Sequence, residues 1–183
     1  KTRAAIEGAR KIVAKTLNAS PSEIFFTSGG TEADNMAIRC SVNDLGIKHA
    51  ITSKIEHHAV LHTLETLEHE GKIKLSFVNT TPIGHIDLNH LDQLLSENER
   101  TLVSLMHANN EIGNMISLEK VGEICAKYDA VFHSDTVQTM GHYPMDLQKI
   151  NHLIEKAKFK IVRCDIKPHI FEVFYLLQLK PIA

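Results

Sequence analysis

The residues best suited to chemistry sit just downstream of four short apolar runs: Gly30 and Thr31, His57, Asn110, and Asp135 with Gln138. Ile24-Phe25-Phe26-Thr27 leads into Ser28-Gly29-Gly30-Thr31, the pattern of a strand, a glycine turn and a helix start. Such a turn gathers free backbone N–H groups and the positive end of a helix dipole at one point, which suits a phosphate. The glycines let the backbone approach the anion closely, and the Thr31 hydroxyl adds a side-chain donor. The Asp135 carboxylate can pair with a protonated ring nitrogen and keep it cationic, so that the ring accepts electrons. His57 can lie over the ring face and move protons, since imidazole titrates near neutral pH. Asn110 and Gln138 can donate hydrogen bonds to a ring hydroxyl. Together these groups describe a site for an aromatic phosphate with a basic ring nitrogen, although residue types and spacing alone do not single out one such ligand.

Each residue also has a plain structural reading. A glycine turn between strand and helix is ordinary punctuation in α/β proteins. Asp135 at a strand end can serve as an N-cap or turn residue, Asn109-Asn110 can form a loop, and His57 can be a surface histidine at a helix start. His58 and His62 have the i,i+4 spacing of a metal pair but lack HExxH context. The twelve histidines are dispersed and form no metal-binding tract, so no metal is expected.

What brings the four places together is the order of elements. Ala5, Ile6, Ala9, Ile12, Val13 and Leu17 recur at helical spacing from Thr2 to Leu17, and Asn18-Ala19-Ser20-Pro21 stops that helix. Strand Ile24–Thr27 and a helix from Glu32 to Val42 follow. The same unit returns as strand Lys48 to Thr52, turn Ser53 to His57, and helix Ala59 to Glu70 ending at Gly71. Ile73, Leu75 and Phe77 alternate with polar residues as in a half-buried strand, and Asp87 is placed to cap a helix from Leu88 to Leu95. A buried strand from Thr101 to His107, a helix after Ser117 and a short strand from Ala130 to His133 complete the pattern. Alternating strands and amphipathic helices predict an α/β fold with a mostly parallel sheet covered by helices. In open sheets of this kind ligands sit beyond the carboxyl ends of the strands, so the four places are predicted to share one edge.

Bulk properties agree with an ordinary globular domain. The 183 residues are 43% apolar and 23% charged, and the formal net charge of −2 gives no global basic field for nucleic acid. Cys40, Cys125 and Cys164 form no CxxC pair and no disulfide framework, which fits a reducing cytoplasm. The most apolar run, Ile170 to Leu179, is interrupted by Glu172 and falls short of a membrane span. The chain opens at Lys1, already in a helical pattern and without an initiating Met, which reads as a fragment.

Four segments, in order, resemble the motifs of a known family. Phe26-Thr27-Ser28-Gly29-Gly30-Thr31-Glu32-Ala33-Asp34-Asn35 resembles the FTSGATESNN of class V aminotransferase-fold enzymes, and Glu56-His57-His58-Ala59-Val60 resembles their EHxAV. Met106-His107-Ala108-Asn109-Asn110-Glu111-Ile112-Gly113 resembles the MHxNNEIG of NifS/IscS-type cysteine desulfurases, and His133-Ser134-Asp135-Thr136-Val137-Gln138 their HxDATQ. The resemblance covers roughly Lys1 to Asn151. It implies part of the large domain of a fold-type I, pyridoxal-phosphate (PLP) dependent enzyme. Such an enzyme takes sulfur from L-cysteine, releasing alanine and leaving a persulfide for iron–sulfur cluster or tRNA sulfur chemistry. It implies that Gly30 and Thr31 bind the cofactor phosphate, Asp135 pairs with the pyridine nitrogen, Gln138 and Asn110 lie near the ring hydroxyl, and His57 stacks on the ring as a catalytic residue. A homodimer and a sulfur-acceptor or scaffold protein are implied as partners of the full-length form.

Beyond Asn151 the resemblance stops, so residues 152–183 are expected to form a divergent tail after a partial cofactor-binding domain at 1–151. Members of the family carry the lysine that binds the cofactor covalently in an HKxxGPKG loop. Here Lys158-Phe159 echoes only a fragment of it, with Ala157 in place of the histidine and no Gly-Pro after it. Cys164, in Arg-Cys-Asp, does not match the family's catalytic cysteine context. The expectation is therefore a desulfurase-like sequence that is inactive as this polypeptide alone. The alternatives are another class V aminotransferase or lyase, or a catalytically dead binding or dimerisation module.

Overall fold

The computed structural model describes residues 2–152, 159–165 and 172–178. Six helices, α1 (Thr2–Thr16), α2 (Gly30–Asn43), α3 (His58–His69), α4 (Leu88–Ser96), α5 (Leu118–Lys127) and α6 (Leu147–His152), surround a sheet. Its strands are β1 (Ile24–Thr27), β2 (His49–Thr52), β3 (Lys74–Phe77), β4 (Thr101–Ser104), β5 (Val131–Asp135), β6 (Phe159–Asp165) and β7 (Glu172–Gln178). The sheet order is β1-β7-β6-β5-β4-β2-β3. β2, β3, β4, β5 and β6 pair in parallel, while β7 is antiparallel to both of its neighbours, β6 and β1. β1 therefore runs in the direction of the parallel set, and the carboxyl ends of β1, β2, β4 and β5 point to one edge.

The strand sequences explain why helices cover both faces. Neighbouring residues on a strand point to opposite sides. Ala50, Leu102 and Val131 pack with Ile38 and Val42 of α2 and Val60, Leu64 and Leu67 of α3. The next residue on each strand, Ile51, Val103 and Phe132, packs instead with Ala14 of α1, Leu91 and Leu95 of α4, Leu118, Val121 and Cys125 of α5, and Leu147 and Ile150 of α6. Strands that are apolar on both faces are what a covered parallel sheet requires.

Local signals set most of the helix ends. Asp87 accepts hydrogen bonds from the Asn89 and His90 amides, and Ser117 from the Lys120 amide, so α4 and α5 start on side-chain caps. α3 ends before Gly71, whose φ of +68° is the left-handed conformation a glycine adopts without strain.

Three boundaries differ from the sequence expectation by two residues or more. β4 ends at Ser104 rather than His107, where its pairing with β2 stops at Thr52. α2 begins at Gly30 rather than Glu32, because Glu32 folds back to accept from Ser28 and the first turn closes under it. β5 runs to Asp135 rather than ending at His133, because β6 continues the ladder with Asp135 opposite Arg163. Both strands from beyond the family-like region, β6 and β7, lie inside the sheet, between β5 and β1. Among the described residues, no helix is long and apolar enough to cross a membrane.

Candidate functional site

β1 delivers Ser28 and Gly29 to the start of α2. Gly29 occupies the N-cap position, and no side chain makes a cap hydrogen bond there. Its backbone is extended (φ 176°, ψ 166°), a conformation that does not itself demand glycine. The first intrahelical bond runs from the Ala33 amide to the Gly29 carbonyl at 3.2 Å. The amides of Gly30, Thr31 and Glu32 thus precede the helical ladder at the positive end of the α2 dipole. Gly30 is buried and Thr31 is exposed. Glu32 accepts from the Ser28 amide (2.7 Å) and the Ser28 hydroxyl (2.6 Å), and these bonds hold its carboxyl below the usual range.

One turn further along α2 lies Asp34, about 6 Å from Gly30 along the axis at 1.5 Å per residue. It is fully buried, because α2 packs on the sheet face that carries residues 131, 133 and 135 of β5. Asp34 Oδ1 lies 3.4 Å from Nε2 of the equally buried His133, whose Nδ1 is 2.8 Å from Ser104 Oγ on β4. A carboxylate oxygen of Asp34, one of Asp135 and a ring nitrogen of His57 all fall within 4.8 Å of one another. Asp34 and Asp135 are buried whereas His57 is exposed, so the group forms the floor and rim of a surface site. Its two carboxylates favour a cation above them, and a protonated aromatic ring answers that demand as a metal ion does.

The loops hold these groups in place. Asp135 Oδ1 accepts the Val137 amide at 3.0 Å, so the strand end and the following turn share one carboxylate. The His107 amide donates to the Asp135 carbonyl at 2.9 Å, and His107 Nδ1 is 2.8 Å from Thr139 Oγ1. Burial lowers the His107 pKa. Gln138 is exposed in the turn between these anchors. Asn109 is buried and structural: its Oδ1 accepts the amides of Glu111 (2.8 Å) and Ile112 (3.0 Å), and its Nδ2 donates to the Ile55 carbonyl at 2.7 Å. Asn110 is exposed inside the turn that Asn109 makes. His57 is the N-cap of α3, its Nδ1 accepting the Ala59 amide at 3.1 Å. In neutral His57 this places the proton on Nε2, the atom then available for exchange.

The structure therefore unites His57 and Asp135, and it sets Gly30 and Thr31 at the start of α2, and Asn110 and Gln138 on loops, at the same sheet edge. A cavity of about 520 Å³ lies elsewhere, lined by His107, Leu118, Tyr143, Met145 and Ile150, and contains none of those six. Lys158 lies outside the described residues, as does the side chain of Cys164. Asp34, Glu56 and His133 are the site residues that sequence reasoning passed over. Their available signal was membership of the same four motifs.

This geometry has counterparts. The family described as Aminotransferase class-V matches residues 1–154. The chain belongs to the class-V aminotransferase family. A cysteine desulfurase IscS of Clostridium botulinum is 43% identical over 153 residues, covering 82% of this chain and 38% of that protein. Among solved structures, a NifS-like protein superposes with a TM-score of 0.79 at 34% identity, over 93% of this chain and 46% of the other. A structure described as SspA in complex with cysteine gives 0.78 at 31% identity, over 93% and 48%. The class-V chain thus spans about two fifths of the length of the curated relatives it matches.

Proposed function

We propose that this class-V chain forms the PLP-binding part of a cysteine desulfurase. The observation that carries the reading is the pairing of an uncapped α2 N-terminus with a buried carboxylate pair under His57, about one helical turn away. An anion demand and a cation demand at that separation suit one molecule with a phosphate at one end and a protonated ring nitrogen at the other.

On this reading the Gly30 and Thr31 amides bind the phosphate, with the Thr31 hydroxyl beside them. Asp135 accepts from the ring nitrogen and, with Asp34 behind it, keeps that nitrogen protonated. His57 lies over the ring and moves a proton at Nε2. Asn110 and Gln138 donate to the ring hydroxyl. Bound PLP supplies an electron sink for bonds broken at the substrate α-carbon. L-cysteine as substrate is supported by the desulfurase relatives and by the cysteine-bound neighbour.

Sulfur transfer also needs a reactive thiol. Burial raises the thiol pKa of Cys125, and burial with Asp44 beside it raises that of Cys40, so neither is a ready nucleophile. Cys164 lacks the sequence context of the family's catalytic cysteine, so we expect the 183-residue chain to bind PLP without releasing sulfide. A homodimer is supported by the exposed apolar side chains Ile83, Ile112 and Met115, and an acceptor protein by the persulfide chemistry itself. Cytoplasmic residence is supported by Cys40 and Cys125 standing outside any disulfide. The test is to titrate the chain with PLP, follow the cofactor absorbance, and assay sulfide from L-cysteine. Saturable binding supports the site, its absence refutes it, and sulfide release contradicts the expectation of an inactive chain.

A further inference from the structure

The cofactor reading leaves one buried acid without a role. Glu56 is 7% exposed, at the end of the turn that follows β2. We propose that Glu56 is a positioning residue of the carboxyl-edge site, tying the turn that carries His57 to the end of β4 so that the imidazole stands against Asp135. The proposal rests on the PLP reading of that site.

The tie is made at both carboxyl oxygens. Ser53 Oγ donates to Oε1 at 2.6 Å, closing the turn on itself, and the Met106 amide donates to Oε2 at 2.8 Å across fifty residues of sequence. Asn109 adds a parallel strap from the same β4 loop, its Nδ2 donating to the Ile55 carbonyl at 2.7 Å. The residue after these two straps is His57. Its ring is held from the other side by the Ala59 amide, so backbone position and ring orientation are both fixed.

Little room is left for water beside the carboxyl. Glu56 borders a void of about 10 Å³, shared with Ile55, His85, Met106 and Asn109. That is at the lower limit for a single water. Asp135 on β5 and Asp34 on α2 face the same carboxyl, and His85 reaches the void from the loop after β3. Burial first, and then repulsion from Asp135 and Asp34, push the Glu56 carboxyl up to about 8, against the opposing bonds from Ser53 and Met106. Near neutral pH Glu56 is therefore largely protonated, its O–H then donating to Ser53 Oγ while the Met106 amide still donates to Oε2. Ionisation strengthens the bonds from Ser53 and Met106, which both then donate to the carboxyl, but sets a third carboxylate beside Asp34 and Asp135, so the environment of the tie changes as Glu56 titrates.

The experiment follows the Met106 amide and the His57 ring by NMR from pH 6 to 10, and measures PLP affinity by absorbance titration. It compares the full chain with Glu56→Gln, Glu56→Ala and Ser53→Ala. Glutamine keeps the uncharged shape, donating to Ser53 Oγ and accepting from the Met106 amide. We expect the Met106 amide to titrate with a midpoint near 8 in the parent chain and to stay flat in Glu56→Gln. PLP affinity in Glu56→Gln should stay within about threefold of the parent, whereas Glu56→Ala should bind roughly tenfold more weakly. Ser53→Ala removes a bond that lowers the Glu56 pKa, so its Met106 midpoint should move upward and its affinity should fall part-way; this decides the matter if Glu56→Ala does not fold. Parent-like affinity in Glu56→Ala, or in Ser53→Ala with an unmoved midpoint, overturns the proposal, as does a Met106 amide that ignores pH near 8. A parent chain that binds no PLP sinks the cofactor reading instead. In that case Glu56 is judged on the Met106 midpoint and on displacement of the His57 ring signals in Glu56→Ala.

Discussion

The two edges of the sheet bury similar polar residues and use them differently. At the amino edge, His49 opens β2 with its Nδ1 3.0 Å from Thr101 Oγ1 and its Nε2 2.9 Å from Ser76 Oγ. Both ring nitrogens have neutral partners, and burial, with Lys74 nearby, lowers the His49 pKa. At the carboxyl edge, Asp34, Asp135 and Glu56 are buried within reach of one another's charge, and the helix start beside them lacks a side-chain cap. A closed neutral network stabilises the fold. Burying carboxyls close together costs stability, as does a helix start without a side-chain cap, and a ligand carrying the complementary charges recovers it. The contrast favours the carboxyl edge as the site we propose, where polarity alone does not choose, because polarity is present at both.

The contrast can be broken by substitution. Glu56→Gln should have the largest effect on stability, and it should be a gain. The folded-state pKa of about 8 lies above the ordinary 4.5, so the protonated acid's contribution is full below 4.5 and is lost as pH rises through 8. The variant's advantage should therefore grow across that window and level off above it, reaching on the order of 4 kcal/mol. Urea unfolding at pH 4, 6 and 8 measures it, and an advantage independent of pH would contradict the assignment. At the other edge, His49→Leu should cost about 3 kcal/mol by stranding the Thr101 and Ser76 hydroxyls, with no change in PLP affinity. Its folded-state pKa lies below the ordinary 6.5, so its neutral form contributes stability above 6.5 that is lost as pH falls through the lowered value. Acid unfolding of the variant should lack that component.

Asp135→Asn inverts the pattern. It should weaken PLP binding by about thirtyfold, the equivalent of one charge-assisted hydrogen bond, while leaving the unfolding midpoint at neutral pH unchanged or higher. The smallest change is expected at the start of α4, beside the outermost strand β3. Asp87→Ala removes the α4 cap and should cost about 1 kcal/mol, read by denaturant unfolding, with PLP binding intact.

Much of this arrangement was legible in the residues. Alternation at Ala50/Ile51, Leu102/Val103 and Val131/Phe132 follows from strands apolar on both faces, and Asp87, Ser117 and Gly71 are local signals that act locally. The convergence of His57 and Asp135 followed from the rule that ligands sit at strand carboxyl ends. Asp34 was illegible because a polar residue inside a helix reads as solvent-facing until the packing of α2 on β5 turns it inward. Glu56 takes its role from a backbone amide fifty residues away, which no local pattern announces. The start of α2 was placed two residues late because glycines depress helix propensity there, while Glu32 folding back on Ser28 closes the turn. Nor did the residues reveal that β7 would be reversed between β6 and β1, since strand order is set by the whole sheet.

We read the carboxyl edge as a PLP site assembled from an anion-binding helix start and a buried carboxylate pair. Its most direct test is one equilibrium titration of PLP against the parent chain, Asp135→Asn and His49→Leu, read by cofactor absorbance at neutral pH. The parent should bind saturably, Asp135→Asn about thirtyfold more weakly, and His49→Leu like the parent. Equal affinity of the parent and Asp135→Asn, or an equal loss in both variants, would contradict this reading.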